Sequence, residues 1–427
     1  MSDLVLGIDV GTSGVRVAAI NQAAKLVSFA ASAMPAACRD GERITQDASI
    51  WDRGLDDAMA RLASTIDLSR VGALAVDGTS GTIVGIDGHG TPVTAGSLYN
   101  DRADAADIAA VERVAPAHAA VHGVSSPLAR ARRLLRASGV AKILHQADWI
   151  SGQFSGRFDI SDESNALKTG YDPIRRTWPG WIAATDVAFH KLPAVVAAGS
   201  IICEVSADAS RRFGLSARTV VVAGMTDGCA AFMATGAAKP GDAVTSLGST
   251  LVLKLASEKP LSAPEYGIYS HRIGDLWLAG GASNSGGAAL AQFFTPEQIR
   301  DISLRIDPGV STGLDYYPLP SRGERFPIND PAIEPRMTPR PDDDAVFLQA
   351  LFEGIANIEA LGYRRLFELG GPLPTRVITV GGGAANEVWR RIRARKIGVP
   401  IATSESEEAA VGVARLALRA LPECFLQ

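Results

Sequence analysis

Asp9 stands near the end of an apolar run from Leu4 to Val10. Gly11, Thr12, Ser13 and Gly14 follow, and then a second β-prone run to Ile20. The pattern reads as a hairpin whose turn offers open backbone amides and two hydroxyls. Such groups suit phosphate oxygens. A carboxylate this close repels phosphate unless a cation separates them, which points to Mg2+. An ordinary hairpin with a glycine-rich turn fits the segment equally well. A second carboxylate, Asp227, lies in Gly224-Met225-Thr226-Asp227-Gly228, after the β-branched run that starts at Thr219. At the carboxyl end of a buried strand it is a candidate general base; capping of a helix from Cys229 to Thr235 is the rival role.

Three further stretches carry related chemistry. Asp242 to Lys254 repeats the order strand, glycine with hydroxyls, strand, through Ser246-Leu247-Gly248-Ser249-Thr250, a hint of two related halves. A strand from Arg376 to Val380 runs into Gly381-Gly382-Gly383-Ala384-Ala385-Asn386 and then a basic helix from Glu387. Bare backbone at a helix start is a place where a nucleotide can lie. Trp389, one turn further, either packs on that nucleotide or belongs to the core. Leu98-Tyr99-Asn100-Asp101-Arg102 joins an aromatic face to donors and acceptors suited to sugar hydroxyls. Helix capping by Asn100 or Asp101 is the alternative.

The elements that must position these groups follow from periodicity. Leu26 to Ala33 extends the first hairpin as a third antiparallel strand. Asp47 caps a helix with Trp51, Leu55, Ala58, Met59 and Leu62 on one face. Val71–Val76 and Thr82–Ile86 read as strands of one buried sheet, joined by the loop Asp77-Gly78-Thr79-Ser80-Gly81. Residues 103–200 are alanine-rich and read as mostly helical. Leu276 to Gly281 forms a strand before the small-residue loop Ser283–Gly287, and 307–341, rich in Pro, Gly, Asp and Arg, reads as a surface excursion. A helix from Ala345 to Leu369 presents Phe347, Leu351, Ile355, Ile358 and Leu361 and stops at Gly370-Gly371-Pro372. A strand at 400–403 and a helix from Glu407 to Leu421 complete the chain.

At 427 residues the chain is too long for one ordinary core and calls for two domains. A net charge of −4 gives no electrostatic case for nucleic acid or an anionic membrane surface. Cys38, Cys203, Cys229 and Cys424 form no C-x-x-C pair, which argues for buried free thiols in a reducing compartment and against structural zinc. The six histidines make no H-E-x-x-H pattern. The start of the chain enters a strand directly, with no signal-peptide pattern, and no uninterrupted apolar run approaches the ~20 residues of a membrane span. A cytoplasmic α/β protein is expected.

There is no G-x-x-x-x-G-K-[ST], no protein-kinase H-R-D or D-F-G set, no G-x-G-x-x-G and no G-x-S-x-G elbow. Two hydroxyl-bearing glycine turns, a late triple glycine and carboxylates at strand ends fit phosphoryl transfer from ATP best. Asp9-x-Gly-Thr with Arg16, Gly-x-Thr-Asp-Gly at 224–228, Ser246-x-Gly-Ser-Thr, Ser283-Asn-Ser-Gly-Gly and Gly-Gly-Gly-x-x-Asn at 381–386 together resemble the FGGY carbohydrate kinases. The five motifs occur in that family's order across nearly the whole chain. The resemblance implies an α/β protein of two actin-like ATPase (ribonuclease H-like) domains flanking a central cleft. The first, 1–234 joined by a C-terminal helix at 407–427, binds sugar; the second, 235–406, binds ATP.

Carried over residue by residue, the resemblance implies that Asp227 takes the proton of the sugar hydroxyl. Asp9, through water, and Thr12 handle Mg2+ and the γ-phosphate, with Gly11, Ser13 and Arg16 beside them. Gly248, Ser249 and Thr250 form the second phosphate turn. Gly382, Gly383, Asn386 and Trp389 hold the adenosine. Thr79, Ser80, Asn100, Asp101 and Asp227 contact the sugar. The chain is shorter than most of the family, and its loop at 77–81 lacks the Gln or Met-His-Gly seen in many xylulose- and glycerol-type members. Both departures are similar to the short D-ribulose kinase branch, so D-ribulose is the expected substrate. D-xylulose or another polyol or ketose comes next, and a non-catalytic sugar- or nucleotide-sensing protein on the same fold is the rival. Sugar and ATP are the expected partners, with the chain a monomer or homodimer.

Overall fold

The first strand, β1 (Leu4–Val10), is buried along its whole length. It runs through the middle of a six-stranded sheet, in a computed structural model that describes residues 2–421. It turns into β2 (Gly14–Asn21), which pairs with β3 (Leu26–Ala33), both antiparallel and at the bounds their alternation and turns indicate. On the other side β1 pairs in parallel with β4 (Val71–Gly78), and the sheet is completed by β5 (Ile201–Glu204) and β6 (Val220–Thr226) in the order β5-β6-β4-β1-β2-β3. Helix α1 (Ala48–Ala63) is capped by Asp47, which accepts from the Ser49 N–H. It buries Trp51, Leu55, Ala58, Met59 and Leu62, as its period requires. Asp77 and Gly78 belong to β4 and not to a loop. The strand Ile83–Ile86 sits in a separate five-stranded sheet, a departure from the single sheet expected.

Between 103 and 200 the chain is less helical than its alanine content suggests. Besides helices such as α2 (Pro127–Leu134), strands form at Lys142–His145, Ile160–Asp162 and Ala194–Val196. Tertiary pairing overrides propensity there. Asp227 opens α3 (Asp227–Ala234).

The second sheet holds β7 (Asp242–Leu247), β8 (Leu251–Ser257), β9 (Tyr269–Ile273), β10 (Leu276–Ser283), β11 (Arg376–Val380) and β12 (Ile401–Thr403), in the order β9-β10-β8-β7-β11-β12. β7 pairs antiparallel with β8 and parallel with β11, repeating the relation of β1 to β2 and β4. α4 (Asp344–Glu368) is long and apolar enough to cross a membrane, yet its most apolar stretch is 78% buried. It is the core helix of this half, packed with α5 (Glu387–Ile397). The segment 307–341 is no surface excursion, for Tyr316, Tyr317, Leu319 and Phe326 enter that core.

By contacts the chain forms two compact units. The first is Met1–Ala234 with His271–Gly274 and Glu408–Gln427; the second is Thr235–Ser270 with Asp275–Glu407. α6 (Ala409–Arg419) belongs to the first and lies against both β1 and α3. Glycines allow this. A Cβ on Gly7 would stand 1.8 Å from the Ala410 carbonyl oxygen, and one on Gly412 1.8 Å from that of Ala230. Cys229 is a buried thiol, whereas Cys38 is exposed, against expectation; Cys424 lies outside the described residues.

Candidate active site

In the first unit the β1–β2 turn is closed by the Gly11 N–H donating to the Gly14 carbonyl at 3.0 Å. A Cβ on Gly14 would meet the Ser32 carbonyl oxygen at 2.6 Å, so this turn admits no larger residue there. The turn opens on a cavity of about 570 Å³. Asp9, Gly11, Thr12, Ser13 and Arg16 line one side of it, and Thr79, Ser80 and Asp227 are also lining residues. Eight residues picked out by type and spacing thus share one space. Tyr99, Gly228, Ala231 and Ala409 complete the lining. Ala231 lies one turn after Asp227 on α3, a position its helical spacing could have supplied. Ala409 starts α6, and nothing local to it signals a site.

Three carboxylates gather at the carboxyl ends of three adjacent strands, where open α/β sheets bind ligands. Asp9 on β1 is paired in register with Asp77 on β4, and Asp227 follows β6 on the far side of β4. Asp77, whose position reads as loop in the sequence, is fully buried, and its carboxyl shares its surroundings with that of Asp9. An Asp-Gly pair ending an apolar run, the same local pattern as around Asp9, was the available signal. Burial, then the charges of Asp9 and Asp227, push the Asp77 carboxyl well above the usual carboxylate range. Asp9 is pushed up by burial against the pull of Arg16, whose Nη1 lies 3.0 Å from Asp9 Oδ2. Asp227 Oδ1 accepts from its own helix at Gly228 N, 2.7 Å, and from Ser80 N at 3.4 Å. Asp227 therefore faces the cavity, with its carboxylate also receiving the N–H of the next residue in α3.

Thr79 is largely committed to the fold, its N–H donating to the Val10 carbonyl at 3.2 Å and lying 3.3 Å from Gln146 Oε1. Ser80 differs. Its Oγ is buried with no partner among the described residues, although Ser80 lines the cavity. An unsatisfied buried hydroxyl at a cavity wall is what a polar ligand would complete. Asn100 and Asp101 depart from expectation. Asn100 is exposed, and it is Tyr99 of that stretch that reaches the cavity. Asp101 is fully buried; it accepts from Ile44 N at 3.1 Å and Ser97 Oγ at 2.5 Å and pairs with Arg133, so it holds the fold and no sugar hydroxyl.

In the second unit three loops meet. The Gly287 N–H donates to the Gly248 carbonyl at 2.9 Å and the Ala288 N–H to that of Ser249 at 3.0 Å. Gly381, at φ +86°, runs so close to Leu247 that a Cβ would sit 2.9 Å from its carbonyl oxygen. Gly248, Ser249, Thr250, Gly382 and Gly383 are thereby brought together, and around Gly382 the backbone is open. Trp389 corrects the expectation of an adenosine contact. It is 3% exposed and stacks on Phe352 at 4.7 Å and 9°, which makes it core. Asn386 also serves the fold: its Oδ1 caps α5 through Trp389 N at 2.9 Å and its Nδ2 donates to Ser303 Oγ at 2.9 Å.

Residues 243–421 match the C-terminal domain of the FGGY family of carbohydrate kinases. The xylulose kinase of Escherichia coli strain K12 is 26% identical across 98% of this chain and 91% of its own length. The xylulose kinase of Klebsiella pneumoniae is 26% identical across 97% and 89%. The crystal structure of a xyloylose kinase from Brucella ovis superposes with a TM-score of 0.86 at 24% identity, covering 98% of this chain and 91% of that one. The fold is therefore the two-domain actin-like ATPase fold of these kinases. Residues 243–421 thus carry the match to the FGGY C-terminal domain, and the xylulose kinases are similar to this chain along nearly its whole length.

Proposed function

We propose that the chain transfers the γ-phosphate of ATP to a hydroxyl of a ketopentose, D-ribulose in first place. The observation that carries this reading is Asp227, a carboxylate held by two backbone N–H groups on the wall of a cavity that also presents Ser80, Thr12, Ser13 and Arg16. Asp227 takes the proton from the attacking sugar hydroxyl as its oxygen bonds to phosphorus and the bond to ADP breaks. Thr12, Ser13 and the Gly11 backbone hold the γ-phosphate, and Ser80 and Tyr99 contact the sugar. The second unit contributes Gly248–Thr250 to the phosphates and the Gly381–Gly383 backbone to the nucleoside.

Among the described residues no group of three or more His, Cys, Asp or Glu could enclose a metal ion. Asp9, one of the two carboxylates that line the cavity, with buried Asp77 beside it, suits Mg2+ that arrives on phosphate oxygens and is held through water. Such an ion would neutralise the charge that develops on the transferred group.

The small side chains of the Thr79–Ser80 loop support D-ribulose by leaving the sugar wall open. D-xylulose is the second reading, favoured by the names of the relatives. A panel of pentuloses, hexuloses, polyols and glycerol, assayed for ADP release with ATP and Mg2+, decides between them: an optimum away from D-ribulose overturns the substrate. Saturable sugar binding with no ATP consumption would make the protein a sensor. Asp227→Ala should lower turnover by roughly 10²–10⁴-fold with the fold intact; near-parental turnover would remove Asp227 from the role of base.

A further inference from the structure

Arg130, on α2, is fully buried, and among the described residues no carboxylate forms a hydrogen bond or ion pair with it. Its guanidinium is instead surrounded by main-chain oxygens. Nη2 donates to the Gly81 carbonyl at 2.6 Å, and Nη1 donates to those of Ser97 and Leu98, each at 2.8 Å, and to Ser97 Oγ at 2.9 Å. Nε donates to the Ser125 carbonyl at 3.2 Å. Desolvation pulls the group down to about 10, partly countered by the charge of Asp101, so it stays cationic at neutral pH. Burying a charge this way is expensive, and simple packing does not require it.

The identity of the acceptors gives the reason. Gly81 follows Ser80 and Leu98 precedes Tyr99, and Ser80 and Tyr99 both line the cavity. One planar five-donor fork therefore ties the backbones of two separate wall segments at fixed separation, which an ammonium with a single point of attachment cannot do. The two cavity-facing side chains do not fix that spacing themselves, since Ser80 Oγ has no partner among the described residues and Tyr99 is 48% exposed.

We propose that Arg130 is a positioning residue for substrate selectivity: by bridging the Gly81 and Leu98 carbonyls it sets the spacing between Ser80 and Tyr99 that a ketose must fit. The inference rests on the reading of this cavity as the sugar site. Its test uses Arg130→Lys in the full chain, with kcat and KM measured for D-ribulose, D-xylulose and ATP. The KM for the sugar should rise roughly tenfold or more, because small displacements of positioning groups cost that much. The KM for ATP should stay within about twofold, and the ratio of kcat/KM between the two ketoses should move toward one. Gly81→Ala displaces the other end of the same bond, since Gly81 sits at φ +83° and a Cβ there would meet Pro127 Cγ at 3.1 Å. It should reproduce the shift even if Arg130→Lys folds poorly. Parental sugar KM and selectivity in either folded variant overturn the proposal, as does an equal rise in the KM for ATP. If the parent chain shows no sugar-dependent turnover, the sugar reading itself fails, and this inference with it.

Discussion

At the scale of single residues, environment and not residue type decides what each polar group does. His145 is fully enclosed, its Nε2 3.1 Å from Thr169 Oγ1. Burial and then the charge of Arg130 hold its imidazole down to about 3. In the unfolded chain it titrates near 6.5, so between about 6.5 and about 3 the unfolded state binds a proton that the folded state does not. That portion of stability is intact above pH 6.5 and is lost as the solution is acidified, at about 1.4 kcal/mol per pH unit. Asp162, pushed up to about 6 by burial, slopes the other way between about 4 and about 6. The difference between parent and His145→Gln isolates the imidazole: urea denaturation from pH 4 to 7 should give a flatter acid limb for the variant, and identical slopes would contradict its neutral burial. The sequence displayed Asp9, Thr12, Ser13, Arg16 and Asp227 because their signals are local, a carboxylate at a strand end or hydroxyls between glycines. It misplaced Asp101 and Trp389 because their partners, Arg133 with Ile44 in one case and Phe352 in the other, are set by tertiary contact. Spacing within Tyr99-Asn100-Asp101 says nothing about which of three consecutive side chains faces the cavity.

At the scale of elements, the glycine turns of the second unit stand on a buried polar brace. Glu359 on α4 receives Arg393 of α5 through two bonds, 2.6 Å from Nε and 2.7 Å from Nη2. Glu359 also accepts from Thr245 Oγ1 on β7 at 2.5 Å, and Arg393 donates to Thr379 Oγ1 on β11 at 2.8 Å. β7 and β11 are the strands that lead into Gly248 and Gly381. Removing one partner leaves the other charge buried and unpaired, so Glu359→Gln should cost about 3–5 kcal/mol in chemical denaturation. The double variant Glu359→Leu with Arg393→Leu should recover much of it. An unchanged denaturation midpoint in Glu359→Gln would show the pair to be dispensable. None of this was visible in the sequence, where Glu359 and Arg393 are two charges on helices, ordinarily a solvated face. The helices themselves, their caps and the strands around the turns were visible, because period and capping residues are short-range.

At the scale of the whole molecule, five strands of the first sheet, β6-β4-β1-β2-β3, repeat in order and direction as β12-β11-β7-β8-β10 in the second, which explains why their sequences only hint at kinship: pairing directions repeat while side chains do not. The first unit is discontinuous, since α6 returns to it after the second unit has been traversed. A chain ended at Glu407 should therefore lose cooperative unfolding of the first unit and become cleavable within residues 2–234 under limited proteolysis; protease resistance equal to the parent's would contradict this. The bare contacts at Gly7 and Gly412, where a helix rests backbone to backbone on β1 and α3, have a consequence for synthesis. A nascent chain leaving the ribosome cannot cover the face that aligns Asp9 with Asp227 until α6 emerges. The cavity gains Ala409, the last part of its wall in chain order, after the glycine turns of the second unit have already been made.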